Sequence, residues 1–348
     1  MTHYNLAFIG FGNVAQALAH LLLRKRWELQ ERYDITFSVT GISTGSHGTA
    51  VNPNGISVNA AFEVLQSNRS LDLLTGGPNP ENAREFLERS EADVMFENTP
   101  VNHEIGQPAL DHCRMALDLD MHAITANKGT VVHGYRKLTE LARAKNRKFL
   151  FESTVLGGSP LFSVFREAMP AAELTSFQGI LNSTTNIILS RMERGESYED
   201  AVTYCQSVGV TETDPSADVD GWDAAIKVAA LVSVLMDTPF TPQQVEREGI
   251  REITPEMIEK AKVSGKRWKL VCSAERVEGG IVASVKPEQV SSSSALYGML
   301  DSTTGVAFRT DVLGDYSIIE SEREGMVAGP IPTAYGLFAD FVNATKGS

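Results

Sequence analysis

A dense group of carboxylates followed by a lysine is the part of this sequence best suited to chemistry. It lies in the segment VGVTETDPSADVDGWDAAIK, residues 208–227. Carboxylates this close together repel one another unless a cation, such as a lysine or a substrate amine, lies among them. Asp223 and Lys227 are four residues apart where apolar residues recur at helical spacing, so both project from one helix face. The other carboxylates are Glu212, Asp214, Asp218 and Asp220.

Taken alone, this segment allows two interpretations. The first is an acidic loop in solvent, followed by an ordinary ion pair on a helix. The second is a pocket, favoured because the charged residues are anchored on a helix that is otherwise apolar. In the pocket interpretation Glu212, Asp223 and Lys227 are the functional residues. The remaining carboxylates, Asp214, Asp218 and Asp220, then shape the loop and cap the helix.

Length and charge narrow the class of protein. A chain of 348 residues is long for one hydrophobic core, so we expect two domains. The net charge of −13 argues against nucleic acid or an anionic membrane as a partner. No apolar run approaches the roughly 20 residues that span a bilayer, and the N-terminus does not resemble a signal peptide.

The cysteines and histidines do not suggest a disulfide framework or a zinc site. Cys113, Cys205 and Cys272 are far apart and odd in number, as is typical of reduced thiols in a cytoplasmic protein. The seven histidines show no paired spacing of the kind that binds zinc. We therefore expect a cytoplasmic protein without a transition-metal centre.

The N-terminal segment has the pattern of a dinucleotide-binding turn. An apolar run at residues 6–9 precedes Gly10, Phe11 and Gly12, and a helical stripe follows from Val14. Gly10 permits a tight turn, Gly12 lets the backbone approach a pyrophosphate, and the helix N-terminus supplies amides. The order of strand, turn and helix predicts a nicotinamide dinucleotide as cofactor and a small molecule as substrate.

The end of the second predicted strand, residues 34–44, bears on the choice of coenzyme. A carboxylate at this position usually holds the ribose 2′-hydroxyl of NAD. Here the strand ends in Ser43 and Thr44, whose hydroxyls are able to bind a 2′-phosphate. The sequence therefore favours NADP. NAD remains an alternative, because no arginine follows this strand to bind a 2′-phosphate.

Two further strands are predicted to end at the same edge of the sheet. Residues 92–101 end near Thr99 and a proline, and residues 121–129 end near Lys128. Lys128 could hold a substrate carboxylate or polarise a carbonyl, or it could be a solvated loop lysine. A helix is predicted over residues 135–144, and the alternation of strands and helices ends near residues 151–155. The second half is predicted to be mixed, with strands concentrated in residues 269–325 and a closing apolar helix.

Several fragments together resemble homoserine dehydrogenase, in the same order from Gly10 to Asp340. The most specific is GVTETDPSADVDGWDAAIK, and TANKG, FESTVLGGSP, GILNSTTNIIL and VAGPIPTA are similar to other segments of the family. Three positions depart from the family pattern. Cys205 stands in place of alanine, Ser183 stands in place of glycine, and STTGVAF lacks an asparagine that is usual there.

The resemblance implies an α/β fold with an N-terminal Rossmann-type NAD(P)-binding domain, residues 1–152. Residues 153–325 would form an α/β domain for substrate binding and dimerisation, and residues 326–348 a helix returning to the first domain. The family interconverts L-homoserine and L-aspartate 4-semialdehyde in threonine and methionine biosynthesis. A homodimer is expected, and a regulatory domain or fused kinase is not.

The resemblance also implies residue roles. Lys227 would exchange the proton of the substrate hydroxyl, Asp223 would orient that group, and Lys128 would lie beside nicotinamide and substrate. Glu212 would bind the substrate ammonium, with Thr184 nearby. A monovalent cation, expected to be sodium, would be bound by Glu152, Val155, Gly157 and Ser159. The residues expected to bind the coenzyme are Gly10, Phe11, Gly12, Asn13, Val14, Ser43, Thr44, Thr99, Lys128 and Gly329.

Two other functions remain open at this point. An oxidoreductase of the same fold could act on another small polar hydroxy or carbonyl compound, because Ser183 and STTGVAF depart from the family. A non-catalytic nucleotide sensor is the other alternative. It is the weaker one because Glu212, Asp223, Lys227 and Lys128 are all present.

Overall fold

The protein is described by a computed structural model that covers residues 1–211, 213–321 and 329–346. The chain divides into two compact units, one formed by Met1–Gly158 with Pro330–Ser348 and the other by Ser159–Gly329. Each unit is built on a six-stranded sheet. No helix within the described ranges is long and apolar enough to cross a bilayer.

The first sheet has the strand order β3-β2-β1-β4-β5-β6, and its strands are parallel except for β3. Its central strands are buried along almost their whole length, as expected where helices cover both faces. The strand order reverses between β1 and β4, which is where such sheets bind nucleotides. The strands are β1 (Thr2–Ile9), β2 (Ile35–Ser43), β3 (Thr49–Val51), β4 (Val94–Glu97), β5 (His122–Thr125) and β6 (Phe149–Leu150).

The helices of the first unit pack their apolar stripes against this sheet. In the first of them, Ala15, Leu18 and Leu22 are fully buried. Short 3-10 turns occupy Leu71–Leu74 and Glu152–Thr154. The helices are α1 (Asn13–Arg24), α2 (Arg26–Tyr33), α3 (Val58–Gln66), α4 (Ala83–Ser90), α5 (Ala109–Asp118) and α6 (Lys128–Ala144).

The second sheet has the strand order β12-β11-β7-β9-β10-β8, and only the β10–β8 pairing is parallel. Phe177 and Phe308 are buried on one face, whereas their neighbours Gln178 and Arg309 point to the opposite face and are exposed. The strands are β7 (Leu174–Ile180), β8 (Glu246–Arg247), β9 (Lys266–Val277), β10 (Gly280–Ser291), β11 (Thr304–Thr310) and β12 (Gly314–Glu320).

The helices of the second unit contact the buried face of that sheet. The longest, α11, is buried along residues 224–226 and 228–233, which confirms the predicted apolar helix. A helical turn, α7, continues as a π-helical turn over Val164–Ala168. The helices are α7 (Leu161–Ser163), α8 (Ser183–Glu193), α9 (Tyr198–Ser207), α10 (Ser216–Val219), α11 (Trp222–Leu235) and α12 (Pro255–Val263).

The last helix, α13 (Pro330–Thr345), belongs to the first unit and packs against α1. Phe341 is fully buried there, with its ring 6.2 Å from that of Tyr4 and 6.2 Å from that of Phe96, in edge-to-face contacts. The predicted α/β fold with a Rossmann-type first domain is confirmed.

Several predicted boundaries were wrong by a few residues. The strand predicted over residues 92–101 ends at Glu97, and the strand predicted over residues 121–129 ends at Thr125. The helix predicted over residues 135–144 begins earlier, at Lys128. The reason is local, because the side chain of Asn127 caps this helix by accepting a hydrogen bond from the amide of Gly129 at 3.0 Å.

Candidate active site

The predicted pair on α11 is formed. The Nζ atom of Lys227 lies 2.9 Å from Oδ2 of Asp223, and the two side chains are only 14% and 17% exposed. Nζ also donates a hydrogen bond of 2.6 Å to the carbonyl of Leu181, at the end of β7. Because both groups are largely buried, this is not the solvated ion pair of the alternative interpretation. The lysine is held in place by a carboxylate and a carbonyl.

Asn182, the residue after Leu181, joins two carboxylates of the acidic segment. Its Nδ2 atom donates to Oδ1 of Asp218 at 2.6 Å and to Oδ2 of Asp223 at 3.1 Å. Its Oδ1 atom accepts from the amide of Thr185 at 2.9 Å and so caps α8. The sequence analysis did not single out Asn182, although an asparagine directly before a helix is a recognisable cap.

Asp218 has a more central position than the sequence analysis gave it. Its second oxygen accepts a hydrogen bond of 2.8 Å from the hydroxyl of Thr211. Asp218 is thus tied to Asp223 through Asn182, and it belongs to the same polar cluster as Lys227. No signal in the sequence distinguishes Asp218 from its acidic neighbours, because its partner is 36 residues away.

The other residues of the acidic segment are arranged as follows. Asp214 accepts from the amide of Ser216 at 3.0 Å, and Asp220 pairs with Arg251 at 2.5 Å, so both shape the loop as predicted. Thr184 is 3% exposed, and its hydroxyl lies 3.5 Å from the carbonyl of Val210 at the start of the segment. Glu212 lies outside the described residues.

Lys128 lies in the first unit, at the N-terminus of α6 and beside the carboxyl ends of β4 and β5. The preceding residue, Asn127, donates from its amide to the carbonyl of Thr99 at 3.1 Å and to that of Pro100 at 3.3 Å. This fastens the turn after β4 to the turn after β5. Lys128 is therefore held at the sheet edge where Rossmann-type units bind their ligands.

The glycine turn has the shape that a dinucleotide requires. Gly10 has φ of +84°, and a Cβ atom there would lie 2.6 Å from the carbonyl of Asn98. A Cβ atom at Gly12 would meet none of the described residues within 4 Å, so the N-terminus of α1 is open on this side. Within the described part of the chain no side chain caps this helix, which leaves its first amides available to a pyrophosphate.

A cavity of about 370 Å³ lies beside this turn. Of the residues predicted to bind the coenzyme, it is lined by Gly10, Ser43, Thr44 and Thr99. Another predicted residue, Phe11, has a buried side chain, with its ring 5.4 Å from that of Phe8, so only its backbone is available. The remaining predicted residues are not among the lining of this cavity, namely Gly12, Asn13, Val14, Lys128 and Gly329.

Asn98 adds an independent indication of a ligand at this edge. Both polar atoms of its side chain are buried, and neither has a hydrogen-bond partner within the described parts of the chain. An unsatisfied buried amide costs about 1–3 kcal/mol, so such groups are usually completed by a ligand or water. Together with the uncapped α1 and the open space at Gly12, this residue fits a bound dinucleotide.

Glu97, a buried carboxylate at the end of β4, was not considered in the sequence analysis. It accepts hydrogen bonds from the amide of Thr99 at 3.2 Å and from the hydroxyl of the same residue. His112 Nδ1 lies 3.4 Å from the same oxygen. Because Thr99 and His112 both line the cavity, Glu97 fixes one wall of it from behind.

The residues predicted to bind a cation are mostly buried. Glu152 is 4% exposed and Val155 is 3% exposed. The carbonyl of Gly157 faces Gly336 of α13, where a Cβ atom would lie 2.8 Å away. Ser159 donates from its hydroxyl to Glu320 at 2.8 Å. Carboxylate and carbonyl oxygens are the ligands that hard cations prefer.

The three cysteines are free, as the sequence analysis predicted, and the structure shows that they are also buried. Burial raises the pKa of Cys205 to about 11 and that of Cys272 to about 12, and it raises the pKa of Cys113 well above its usual range. These thiols are therefore protonated near neutrality and are not nucleophiles. Within the described ranges, no cluster of three or more histidine, cysteine or acidic side chains could hold a metal.

Known proteins share both the sequence and the fold of this chain. Family models described as homoserine dehydrogenase and as its NAD-binding domain match residues 160–342 and 10–152, respectively. An NAD(+)-dependent homoserine dehydrogenase of Pseudomonas canavaninivorans is 33% identical over 99% of this chain and 96% of its own length. The homoserine dehydrogenase of Methanocaldococcus jannaschii is 32% identical over 98% of this chain and 99% of its own length.

Solved structures agree with these relatives. A homoserine dehydrogenase from Thiobacillus denitrificans superposes with a TM-score of 0.81 at 26% identity, covering 99% of this chain and 74% of the other. The family matches cover the glycine turn, the cluster around Lys227, the second sheet, and every strand of the first sheet except β1. The chain therefore belongs to the homoserine dehydrogenase family and is an NAD(P)-dependent oxidoreductase that acts on a CH–OH group.

Proposed function

We propose that this enzyme interconverts L-homoserine and L-aspartate 4-semialdehyde, with Lys227 as the group that exchanges the hydroxyl proton. The supporting observation is the Lys227 ammonium, held 2.9 Å from Asp223 and 2.6 Å from the carbonyl of Leu181. An ammonium has three N–H groups, and these contacts use two of them. The third has no partner among the described residues and can donate to the substrate oxygen.

The proton step follows from the chemistry of the hydride step. In the direction of reduction, a bound nicotinamide would supply a hydride to the aldehyde carbon, and the electron pair of the C=O π bond would pass to the oxygen. The negative charge that develops on oxygen is neutralised by a proton from Nζ of Lys227, which forms the alcohol. In the reverse direction Nζ takes that proton back. Asp223 fixes the position of Nζ and orients the hydroxyl.

The role of Asp223 depends on Asn182. Asp223 Oδ2 accepts from both Lys227 and Asn182, at 2.9 and 3.1 Å. Two donors on one oxygen restrict rotation of the carboxylate, so Nζ is held within a narrow range of positions. We assign Asn182 as a positioning residue for the proton-exchanging pair.

The remaining substrate contacts are proposed from the sequence. Glu212 binds the substrate ammonium, Thr184 lies beside the same substrate, and Lys128 lies beside both nicotinamide and substrate. Support for Thr184 comes from its buried hydroxyl near Val210, which puts it next to the acidic segment. Support for Lys128 comes from its place at the carboxyl edge of the first sheet.

The coenzyme supplies the hydride, and the first unit supplies its binding residues. The proposed contacts are the turn Gly10–Gly12 with Asn13 and Val14, the hydroxyls of Ser43 and Thr44, and Thr99, Lys128 and Gly329. The sequence favours NADP because β2 ends without a carboxylate. The relative from Pseudomonas canavaninivorans is named as NAD(+)-dependent, which supports the opposite preference. Comparing the affinities for the two coenzymes decides between them.

We further propose that sodium binds at Glu152 and the carbonyls of Val155, Gly157 and Ser159, where it would stabilise the turn after β6. The measurement that checks this compares turnover in sodium or potassium salts with turnover in the salt of a large organic cation.

We also propose that residues 1–152 bind the coenzyme, that residues 153–325 bind the substrate, and that residues 326–348 support the first domain. The protein is further proposed to be cytoplasmic. Three buried free thiols support this location.

A homodimer is proposed through the exposed face of the second sheet. This face carries a broad depression of about 540 Å³, lined among others by Gln178, Glu275, Arg309 and Asp315. Val282 is 57% exposed on it, and the face carries both charge signs, so a second copy would find apolar and ionic partners. Replacing Val282 with arginine should shift the mass in solution from dimer to monomer.

The activity is tested by following NAD and NADP reduction spectrophotometrically with L-homoserine. Simple 2-hydroxy acids and alcohols without the α-ammonium are the comparison substrates. The proposal predicts turnover with L-homoserine and a kcat/KM at least about 100-fold lower for alcohols that lack the ammonium. Equal or better turnover of those alcohols would refute homoserine as the substrate.

A further inference from the structure

The cavity beside the glycine turn is lined by a carboxylate that does not come from the end of β2. Glu81 lines it together with Ser43, Thr44 and Gly45. No lysine or arginine occurs among the lining residues within the described ranges. A 2′-phosphate is usually bound by an arginine, whereas a ribose diol is usually bound by a carboxylate. The cavity therefore carries a negative charge from Glu81. The end of β2, which has no carboxylate, had suggested a site without such a charge.

The segment that carries Glu81 is fixed in place. The amide of Glu81 donates to Oε2 of Glu85 at 2.8 Å, and the side chain of Asn82 accepts from the amide of Glu85 at 3.0 Å. This reciprocal arrangement caps the N-terminus of α4. The backbone at Glu81 is therefore tied to the start of α4, and Glu81, whose side chain is exposed, lines the cavity.

The arginines of α4 are engaged elsewhere. Arg84 pairs with Glu88 at 3.0 Å, and Arg89 pairs with Glu85 at 3.4 Å. Neither lines the cavity. Glu85 and Glu81 also lie at the positive end of the α4 dipole, where their charges oppose its attraction for a further anion. The arginines of α4 thus do not line the cavity in which a 2′-phosphate would have to bind.

We propose that Glu81 is a specificity-determining residue that selects NAD over NADP, which rests on the proposed binding of the coenzyme in this cavity. Its carboxylate accepts hydrogen bonds from the adenosine ribose hydroxyls of NAD, and it repels the 2′-phosphate of NADP. Such discrimination combines an attractive contact with a repulsive one. The sequence analysis missed it because Glu81 is 38 residues beyond Ser43 and follows a different element.

The test compares binding of NAD and NADP, each measured without substrate by calorimetry, in the full-length enzyme. We expect wild type to bind NAD at least about tenfold more tightly. Glu81→Gln should reduce the ratio of NAD affinity to NADP affinity severalfold, and Glu81→Arg should reverse the preference. The control is Glu31→Arg, because Glu31 is exposed on α2, does not line the cavity and gives the same change in charge.

The outcomes separate this inference from the proposed reaction. A ratio that is unchanged in both Glu81 variants, or changed equally by Glu31→Arg, would overturn the role of Glu81 even if L-homoserine is oxidised. A ratio that changes only in the Glu81 variants supports it, even if L-homoserine proves not to be the substrate. Tighter binding of NADP by wild type would also contradict it. The ratio should be larger at low salt, because screening weakens the repulsion.

Discussion

Asn182 donates a hydrogen bond of 3.1 Å to Asp223, and this contact links the end of β7 to α11. The same amide donates to Asp218 at 2.6 Å, so one neutral side chain separates two carboxylates that would otherwise repel each other. Asp223 in turn pairs with Lys227. The position of the lysine is therefore set by a chain of contacts that begins at the cap of α8.

Removing the Asn182 amide should weaken catalysis by displacing Asp223. For Asn182→Ala we expect kcat/KM to fall at least about tenfold, with a further loss of about 1 kcal/mol in the free energy of unfolding because α8 loses its cap. Asn182→Asp is the informative companion, since it keeps a cap acceptor but donates no hydrogen bond. If Asn182→Asp retained full activity, the cap alone would account for the effect.

Replacing Glu212 should affect substrate binding rather than turnover. We expect Glu212→Ala to raise the KM for L-homoserine at least about tenfold, because the substrate ammonium loses its carboxylate. The KM for a coenzyme should stay unchanged. Glu199→Ala, at an exposed position on α9, is the matched control. An unchanged KM for L-homoserine would mean that another group binds the ammonium.

Lys269 predicts a pH dependence of stability. It is 1% exposed, its Nζ donates to Asn186 at 2.7 Å, and burial lowers its pKa from 10.5 to about 8. Between these values the unfolded chain holds a proton that the folded protein has released. The free energy of unfolding should therefore rise with pH across this window, by up to about 3 kcal/mol from this group.

The measurement for Lys269 compares wild type with Lys269→Met. Denaturant unfolding of both from about pH 7.5 to about pH 10 isolates the contribution of this lysine, because the other titrating groups cancel. Wild type should gain stability relative to the variant as pH rises. A difference that does not vary with pH would show that Lys269 titrates alike in both states.

Phe341 tests the packing of the last helix in the first unit. Its ring is fully buried against Tyr4 and Phe96, so Phe341→Ala should lower the free energy of unfolding by about 3–5 kcal/mol. Phe341→Leu, which keeps most of the volume, should cost markedly less. Denaturant unfolding measures both. A loss below about 1 kcal/mol for alanine would contradict this packing.

The sequence predicted the features that depend on local periodicity. The helical spacing around Asp223 and Lys227 placed both on one face of α11, and Gly10 with Gly12 located the turn after β1. The contacts that it missed join distant segments, such as Asn182 with Asp218, 36 residues apart, and Lys269 with Asn186, 83 residues apart. Such pairs follow from how strands and helices pack, which no local pattern encodes.

Local sequence patterns also do not reveal the role of a charged residue inside a strand or before a helix. Glu97 lies in a strand whose apolar neighbours indicate burial, yet only the fold supplies Thr99, Thr125 and His112 around its carboxylate. Glu81 precedes α4 and has no pattern of its own. Its position at the cavity depends on how α4 packs beside β2, so it was not identified from the sequence.

The most direct test of the account is the turnover of Lys227→Ala with L-homoserine, measured together with coenzyme affinity. The account predicts that kcat falls by roughly 100-fold or more while coenzyme affinity changes little, since Lys227 exchanges a proton only with the substrate. Lys260→Ala, which removes the same charge from an exposed position on α12, should leave kcat unchanged. A Lys227→Ala enzyme with near wild-type kcat would contradict the central claim.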